Sequence, residues 1–369
     1  MNRLKINFVL PATGKTGGVV VVLEYARQLR KMGHDVLIYY PLIPYNVYVP
    51  KVVIWKKSLW WFKYILRCLL DSRKGITWFP EQVSIRLVLF ITDVFVRSAD
   101  VVLATAWPTA YSVANLSKSK GEKFYFVQHY ENWHGEEVTL DASYRLPLKL
   151  LVIAPWLTEL IRTKFGREVT AELHNGIDLD FFKPGLAKPD IEHPVILMMY
   201  HVLEIKGIED GLYVLRKIHN LYPNVRIRLF GMYPFNDKAE FMEYFFDPTP
   251  EKLLELYQTA HIFLSPSHSE GWHLPPMEAM ACGCALVATN VGCIPVLKQE
   301  GNLLSANPWD RETLFQHLEF FVTHPDEMKQ IAQRGRETIL NYGWEEKSRR
   351  MEEVFASEIS RDRPNSVSR

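Results

Sequence analysis

The stretch Ser265-Pro266-Ser267-His268-Ser269-Glu270-Gly271-Trp272-His273-Leu274-Pro275-Pro276-Met277-Glu278-Ala279-Met280-Ala281-Cys282-Gly283-Cys284-Ala285 decides how the chain is read. An apolar run, His261 to Leu264, precedes it and reads as a buried strand. A polar turn, two prolines and a run of good helix formers follow, so the order is strand, loop, Pro-initiated helix. The amides that open such a helix have no intrahelical partner and make a seat for an anion. Two carboxylates, Glu270 and Glu278, lie on either side of the helix start. Carboxylates repel phosphate but accept hydrogen bonds from neutral hydroxyls. A phosphate seat flanked by hydroxyl acceptors describes a pocket for a sugar nucleotide.

Working outward, the same alternation of strand and helix fills the chain. Leu4 to Leu10 reads as a strand, Pro11 to Gly18 as a loop with Gly14, Gly17 and Gly18, and Val19 to Met32 as a helix. Asp35 to Tyr40 is the next strand, and this βαβ order starts a doubly wound sheet. Val101 to Ala104, Lys123 to Val127 and Leu150 to Ala154 continue it, with a helix over Ala110 to Ser117. Asn175 to Pro194 has linker composition. A second series starts at Val195: strand Val195 to Tyr200, helix Glu209 to Asn220, strand Arg226 to Phe230, helix Pro250 to Gln258. The length of 369 residues agrees with two domains at about 150 residues each plus extensions. Residues 1–188 are expected as one Rossmann-like domain and residues 189–343 as the other, with a helix over 344–360 packing back on the first. Ligands of open parallel sheets bind beyond the C-terminal strand ends, which for two facing sheets means a cleft between them.

Composition narrows the class. A net charge of +1 argues against a general nucleic-acid binder. No apolar run approaches the roughly 20 residues that span a bilayer. Met1 to Leu10 shows neither the long apolar region nor the cleavage site of a signal peptide, so a cytoplasmic location is expected. Cys282, Cys284 and Cys293 lie close together, but C-x-C-x8-C lacks the second pair that zinc spacing requires, and the small residues around them read as core; no metal is expected. Gly14-Lys15-Thr16 resembles the end of a P-loop, but Val9 stands where that motif needs glycine, which removes an ATPase reading. Gly17 and Gly18 are still placed to let a ligand approach the backbone at a helix start, or else to form a tight turn with no ligand.

Lys51 to Lys74 departs from the pattern, with Lys56, Lys57, Lys63 and Arg67 among its cations and Trp55, Trp60, Trp61, Phe62 and Tyr64 among its aromatics. At about 100° per residue Lys56, Trp60, Lys63, Arg67 and Lys74 fall on one stripe and Leu59, Phe62, Ile65, Leu66, Leu69 and Leu70 on the other side. Such a helix either lies in an anionic membrane surface or packs its apolar face on the sheet.

Together these residues resemble glycosyltransferase family 4, a group of retaining enzymes with the GT-B fold, over most of the chain. Glu270 and Glu278 match the family's E-x7-E motif, Asn175-Gly176-Ile177-Asp178 its N-G-x-D element, and Lys206-Gly207 its phosphate-binding K-G element. Phe126 to Glu131 is similar to the strand end that carries the family's active-site histidine, here His129, and Gly17-Gly18 to its N-terminal glycine loop. The Q-H-Y-E segment looks most like bacterial surface-polysaccharide transferases, including rhamnosyl ones. The resemblance implies a GT-B fold, α/β, with an acceptor-binding and a nucleotide-sugar-binding domain. It implies that Glu278 holds the ribose hydroxyls, Glu270 the donor-sugar hydroxyls, and Lys206 with the amides of Gly271, Trp272, His273 and Leu274 the diphosphate. His129 orients the transferred sugar. No cofactor is implied beyond the donor itself; the acceptor is a glycan or a lipid-linked one. Two positions depart from the family: His201 replaces a usual arginine, so that either the phosphate site is weaker or Arg228 or another cation substitutes, and His273 replaces a common glycine. These departures leave open a catalytically weak GT-B protein that binds glycan or membrane. A glycan phosphorylase would need a pyridoxal lysine, which the sequence does not single out.

Overall fold

The computed structural model describes residues 3–42, 45, 66, 76, 78–79, 83–132, 137–185, 187–236 and 239–362. The expected amphipathic helix over 51–74 lies outside the described residues, Leu66 apart. The chain forms two units, residues 1–175 with 344–369, and residues 176–343. The division therefore falls at Asn175/Gly176 and not at 188/189: Ile177 pairs with Gly343, and its amide bonds the Tyr342 carbonyl, so the linker segment belongs with the second unit.

In the first unit, β1 (Lys5–Val9), β2 (Asp35–Pro41), β3 (Ile85–Val88), β4 (Val101–Ala104), β5 (Glu122–Val127), β6 (Lys149–Val152) and β7 (Ala171–Glu172) make one parallel sheet in the order β3-β2-β1-β4-β5-β6-β7. The order reverses between β1 and β4, so the loops after these two strands flank the sheet's crevice. Helix α1 (Gly17–Lys31) begins two residues earlier than the apolar pattern suggests, because Thr16 caps it by accepting from the Val19 amide at 3.4 Å. Helix α2 (Trp107–Ala114) also starts earlier than expected: Pro108 suits a first turn, where its missing N–H costs nothing. α3 (Glu137–Ser143) and α4 (Pro155–Phe165) follow.

The second unit runs β8 (Val195–Met199), α5 (Ile208–Leu221), β9 (Arg226–Gly231), β10 (Met242–Phe246), α6 (Pro250–Thr259), β11 (Ile262–Ser265), α7 (Leu274–Ala281), β12 (Ala285–Thr289), α8 (Ile294–Leu297), β13 (Leu304–Ala306), α9 (Arg311–Thr323) and α10 (Pro325–Ile339). Its parallel sheet has the order β10-β9-β8-β11-β12-β13, with the reversal between β8 and β11. The strands are apolar on both faces, as a helix-covered sheet demands. Val214, Leu215 and Ile218 of α5 and Leu314, Phe315 and Leu318 of α9 pack into one core with Ile196, Met198 and Val287. α5 and α9 contact each other, and α7 contacts α6 and α10, so the two sets cover opposite faces of the sheet.

The last helix, α11 (Trp344–Asp362), returns to the first unit. Trp344 and Phe126 each meet the Tyr25 ring edge-on, Phe355 packs on Phe124 at 5.0 Å, and Glu358 bonds Lys149 at 3.0 Å. Among the described residues no helix is long and apolar enough to cross a membrane.

Candidate functional site

At the reversal point of the second sheet, the loops after β8 and β11 lie against each other. The turn Glu204–Lys206 ends at Gly207, whose φ of 61° is left-handed. A Cβ there would stand 1.9 Å from the Pro266 carbonyl oxygen, so no other residue fits without moving the β11 loop. The amide of His268 bonds the carbonyl of Ile205 at 2.7 Å. These two contacts hold Lys206 against Glu270.

Lys206 Nζ lies 2.8 Å from both Glu270 oxygens. Ser267 donates its hydroxyl to Glu270 Oε1 at 2.8 Å, and His273 Nδ1 is 3.2 Å from the same oxygen. Burial would raise the Glu270 carboxyl; His273 and Lys206 beside it outweigh that and hold it below its ordinary value. The His273 ring is buried and its pKa falls to about 4, first through desolvation, so it is neutral near pH 7. A carboxylate only accepts, so Nδ1 carries the hydrogen toward Glu270 and Nε2 accepts from Ser265 Oγ at 2.7 Å. His273 has φ 79°, a left-handed backbone that costs a non-glycine residue about 1–3 kcal/mol. A glycine, which the resemblance leads one to expect at this position, would adopt this φ freely; His273 meets it under strain. Its ring turns inward to the Glu270 network.

Two further expectations change. Pro275 and Pro276 carry no N–H, so of the first three positions of α7 only Leu274 brings an amide to the anion seat. His201 accepts from the Leu203 amide through Nδ1 at 3.0 Å, and burial with the nearby Lys206 lowers its pKa to about 4. It is a neutral donor at Nε2 and not a weaker cation. Arg228, the alternative cation, bonds Glu243 at 3.0 Å and Thr259 at 3.1 Å through its guanidinium.

Glu278, on α7, accepts from the Tyr257 hydroxyl at 2.7 Å. Desolvation raises its pKa to about 7, against the lowering effect of that hydrogen bond. Three supporting residues do not stand out in the sequence. Thr289 donates to the Ser267 carbonyl, and Cys293 bonds the Trp272 carbonyl through its amide. Gly292, at φ 60°, leaves room where a Cβ would meet the Trp272 carbonyl oxygen at 2.5 Å. A signal for them is present in Val291-Gly292-Cys293-Ile294-Pro295, a glycine directly before a Pro-bearing helix start. Gly271 and Trp272 are buried in the same loop, and Trp272 donates its indole N–H to Met277 sulfur at 3.0 Å.

The first unit holds the other predicted residues after β1, which borders its reversal point, and after β5, one strand beyond it. Gly17 and Gly18 are the opening residues of α1. Among the described residues, a Cβ on Gly17 would meet no atom within 4 Å, and one on Gly18 would first meet the Gln128 amide, at 3.5 Å. His129 follows β5, with Nδ1 2.9 Å from the Tyr130 carbonyl and its ring 5.4 Å from that of Trp156. Glu131, which sequence reasoning misses as a site residue, accepts from the Trp107 amide at 3.2 Å, and burial raises its carboxyl to about 7. The structure thus gathers Lys206, Glu270 and His273 into one network in the second unit, with His201 and Glu278 on adjoining elements, and sets Gly17, Gly18 and His129 in the first. Among the described residues no group of three or more His, Cys, Asp or Glu is arranged to hold a metal ion, and Cys282, Cys284 and Cys293 are buried free thiols.

Residues 185–338 match the family model described as Glycosyl transferases group 1. Sulfoquinovosyl transferase SQD2 of Arabidopsis thaliana is 27% identical over 193 residues, which are 46% of this chain and 36% of the relative. D-inositol 3-phosphate glycosyltransferase of Mycolicibacterium smegmatis is 25% identical over 188 residues, 45% of this chain and 42% of the relative. The chain spans less than half the length of these curated relatives. Over both units, the structure of HepE from Anabaena in complex with UDP-glucose superimposes with a TM-score of 0.72 at 13% identity, covering 96% of this chain and all of that one. Sucrose-phosphate synthase from Thermosynechococcus elongatus gives 0.71 at 14% identity, over 97% of this chain and all of that one. At such identities the likeness establishes the fold, which is GT-B.

Proposed function

We propose, from the match of residues 185–338 to the model of the group 1 glycosyl transferases, that the chain transfers a sugar from a nucleotide-diphosphate sugar to a glycan or lipid-linked acceptor with retention. The observation that carries the reading is the Lys206–Glu270 pair at the sheet's reversal point, with Glu278 on the helix that follows. Before the donor enters, each member neutralises the other. A diphosphate draws Lys206 toward itself, and the Glu270 oxygens it leaves are taken by donor-sugar hydroxyls. Glu278 accepts from the ribose hydroxyls. Amides from Gly271 to Leu274 and the Nε2 hydrogen of His201 add donors to the phosphates. The charge that grows on the leaving diphosphate is then met by fixed groups in a partly dry site. The C1–phosphate bond breaks as the acceptor oxygen bonds C1 on the same face, and the acceptor proton passes to the leaving phosphate oxygen.

In this reading the first unit, residues 1–175 with 344–369, binds the acceptor, with Gly17 and Gly18 letting a ligand approach the backbone and His129 orienting the transferred sugar, and the second unit, residues 176–343, binds the donor. No metal is required, because Lys206 and the amides supply the positive potential. The acceptor side includes an anionic membrane surface held by residues 51–74, which suits synthesis of cell-surface polysaccharide on the cytoplasmic face. The test is a thermal-shift screen of UDP, GDP, dTDP and ADP, followed by turnover of the matching sugar nucleotides and NMR assignment of the product anomer. Binding to the native state raises the melting temperature. Silence with all four nucleotides overturns the donor assignment, and an inverted product overturns retention. Sedimentation with anionic vesicles, lost on replacing Lys56, Lys57, Lys63 and Arg67 by glutamate, tests the membrane contact.

A second reading is favoured by His201. Its neutrality removes a positive charge from the phosphate seat, as expected for a weak enzyme that acts as a glycan- or membrane-binding partner. Nucleotide binding without turnover of any donor would select it.

A further inference from the structure

Between β13 and α9, Trp309 is 68% exposed and has a φ of 66°. A single exposed apolar residue needs no function. A bulky aromatic held in the left-handed region is different, because the fold tolerates such strain only where surrounding contacts impose it, and such positions cluster at ligand clamps. Those contacts are present. The Trp309 ring lies 4.6 Å from the His268 ring, tilted 31°. His268 Nε2 is 2.7 Å from Asp210 Oδ2, and the buried Asp210 carboxylate also accepts from Arg311 Nε. The Arg311 guanidinium lies over the half-exposed Tyr213 ring at 5.2 Å. The result is a braced, flat aromatic face rimmed by a cation. The brace is built on the donor loop itself, since His268 also bonds the carbonyl of Ile205, next to Lys206.

A pyranose has the matching chemistry: an apolar face of C–H groups and an edge of hydroxyls, which fit an exposed ring beside guanidinium donors. A nucleobase fits less well. Glu278 and Tyr257, the ribose side of the site, stand on α7 and α6, whereas Trp309 lies in the loop that leads into α9, which with α5 covers the opposite face of the sheet. We propose that Trp309, braced by His268, is a stacking platform for a neutral pyranose residue of the glycan that the enzyme extends; this rests on the glycosyltransferase reading.

The experiment uses the full chain and saturation-transfer NMR with maltohexaose, mannohexaose and a rhamnose tetrasaccharide, alongside the nucleotide thermal-shift screen. At least one oligosaccharide should give transfer to the wild type. Trp309→Ala should cut it more than fivefold, and Trp309→Phe should keep it within about twofold. Trp309→Gly controls for folding: glycine accepts this φ freely, so the variant should melt no lower than wild type and still lose the glycan signal. Nucleotide shifts should be equal in all four proteins. Unchanged transfer in Trp309→Ala overturns the proposal, as does loss of the nucleotide shift instead, or a change of oligomeric state by light scattering. Nucleotide binding with no oligosaccharide signal in the wild type removes the platform and leaves the transferase reading standing. Trp309-dependent glycan binding without any nucleotide shift does the reverse.

Discussion

The two sheets share a topology at their reversal points, yet their C-terminal edges are filled differently. In the second unit the edge is closed by its own groups: Lys206 chelates Glu270, Ser267 and His273 complete the carboxylate's shell, and Gly207 fits against Pro266 with no room for a Cβ. In the first unit the edge keeps space: among the described residues nothing stands within 4 Å of a Cβ on Gly17. A charged ligand needs a seat whose charges are held in place beforehand, and those charges must be paired until it arrives. The glycines show the same contrast: the fold requires Gly207, and no contact among the described residues requires Gly17.

The sharpest way to break this comparison is to remove the paired cation. Lys206→Ala should lower turnover by about 10²–10³-fold, as for other lost transition-state donors, and should also destabilise the second unit by about 3 kcal/mol because Glu270 is left buried and unpaired. A Lys206→Ala, Glu270→Gln double variant should recover most of that stability and none of the activity; recovery of activity would mean that the pair only holds the loop. Next in size, Gly207→Ala should cost about 3 kcal/mol in a denaturant titration, since a Cβ collides with backbone. A loss under about 1 kcal/mol would mean that the β11 loop is free to move.

A smaller effect follows from Glu278. With a pKa near 7, it is mostly ionised at pH 8 and mostly protonated at pH 6. If the ionised form holds the ribose, nucleotide affinity should fall about tenfold between these values, and Glu278→Gln should flatten the profile. Stability runs in the same direction as protonation. Burial raises this acid in the folded state above its value of 4.5 unfolded, so its contribution to stability declines as pH climbs from 4.5 to about 7. Glu270 is lowered instead, and its contribution is lost as pH drops through the carboxylate range. The smallest effect belongs to the first unit. Gly17→Ala, at a helix start with open space beside it, should leave stability unchanged or raise it by up to about 1 kcal/mol, and should reduce turnover through the acceptor KM. Unchanged kinetics would return Gly17 to an ordinary βα turn.

Much of this is legible along the chain because the physics is local. Strand, glycine loop and Pro-initiated helix are written in consecutive residues, so Ser265 to Ala285 announces its own fold, and Glu270 and Glu278 stand out from their places around one helix start. The apolar period places the starts of α1 and α2 too late, because capping by Thr16 and a proline in the first turn outrank it. What tertiary structure alone decided depends on residues far apart in sequence. Lys206 and Glu270 share one ion pair because two parallel strands end side by side. His201 and His273 are neutral because burial, which composition does not report, strips them of charge. Trp309 acquires a brace because α5 and α9 pack together and bring Asp210 under both His268 and Arg311. Sequence by itself set the alternation and the chemistry on offer; desolvation and long-range packing set which of those groups are charged, which are paired, and which still face outward.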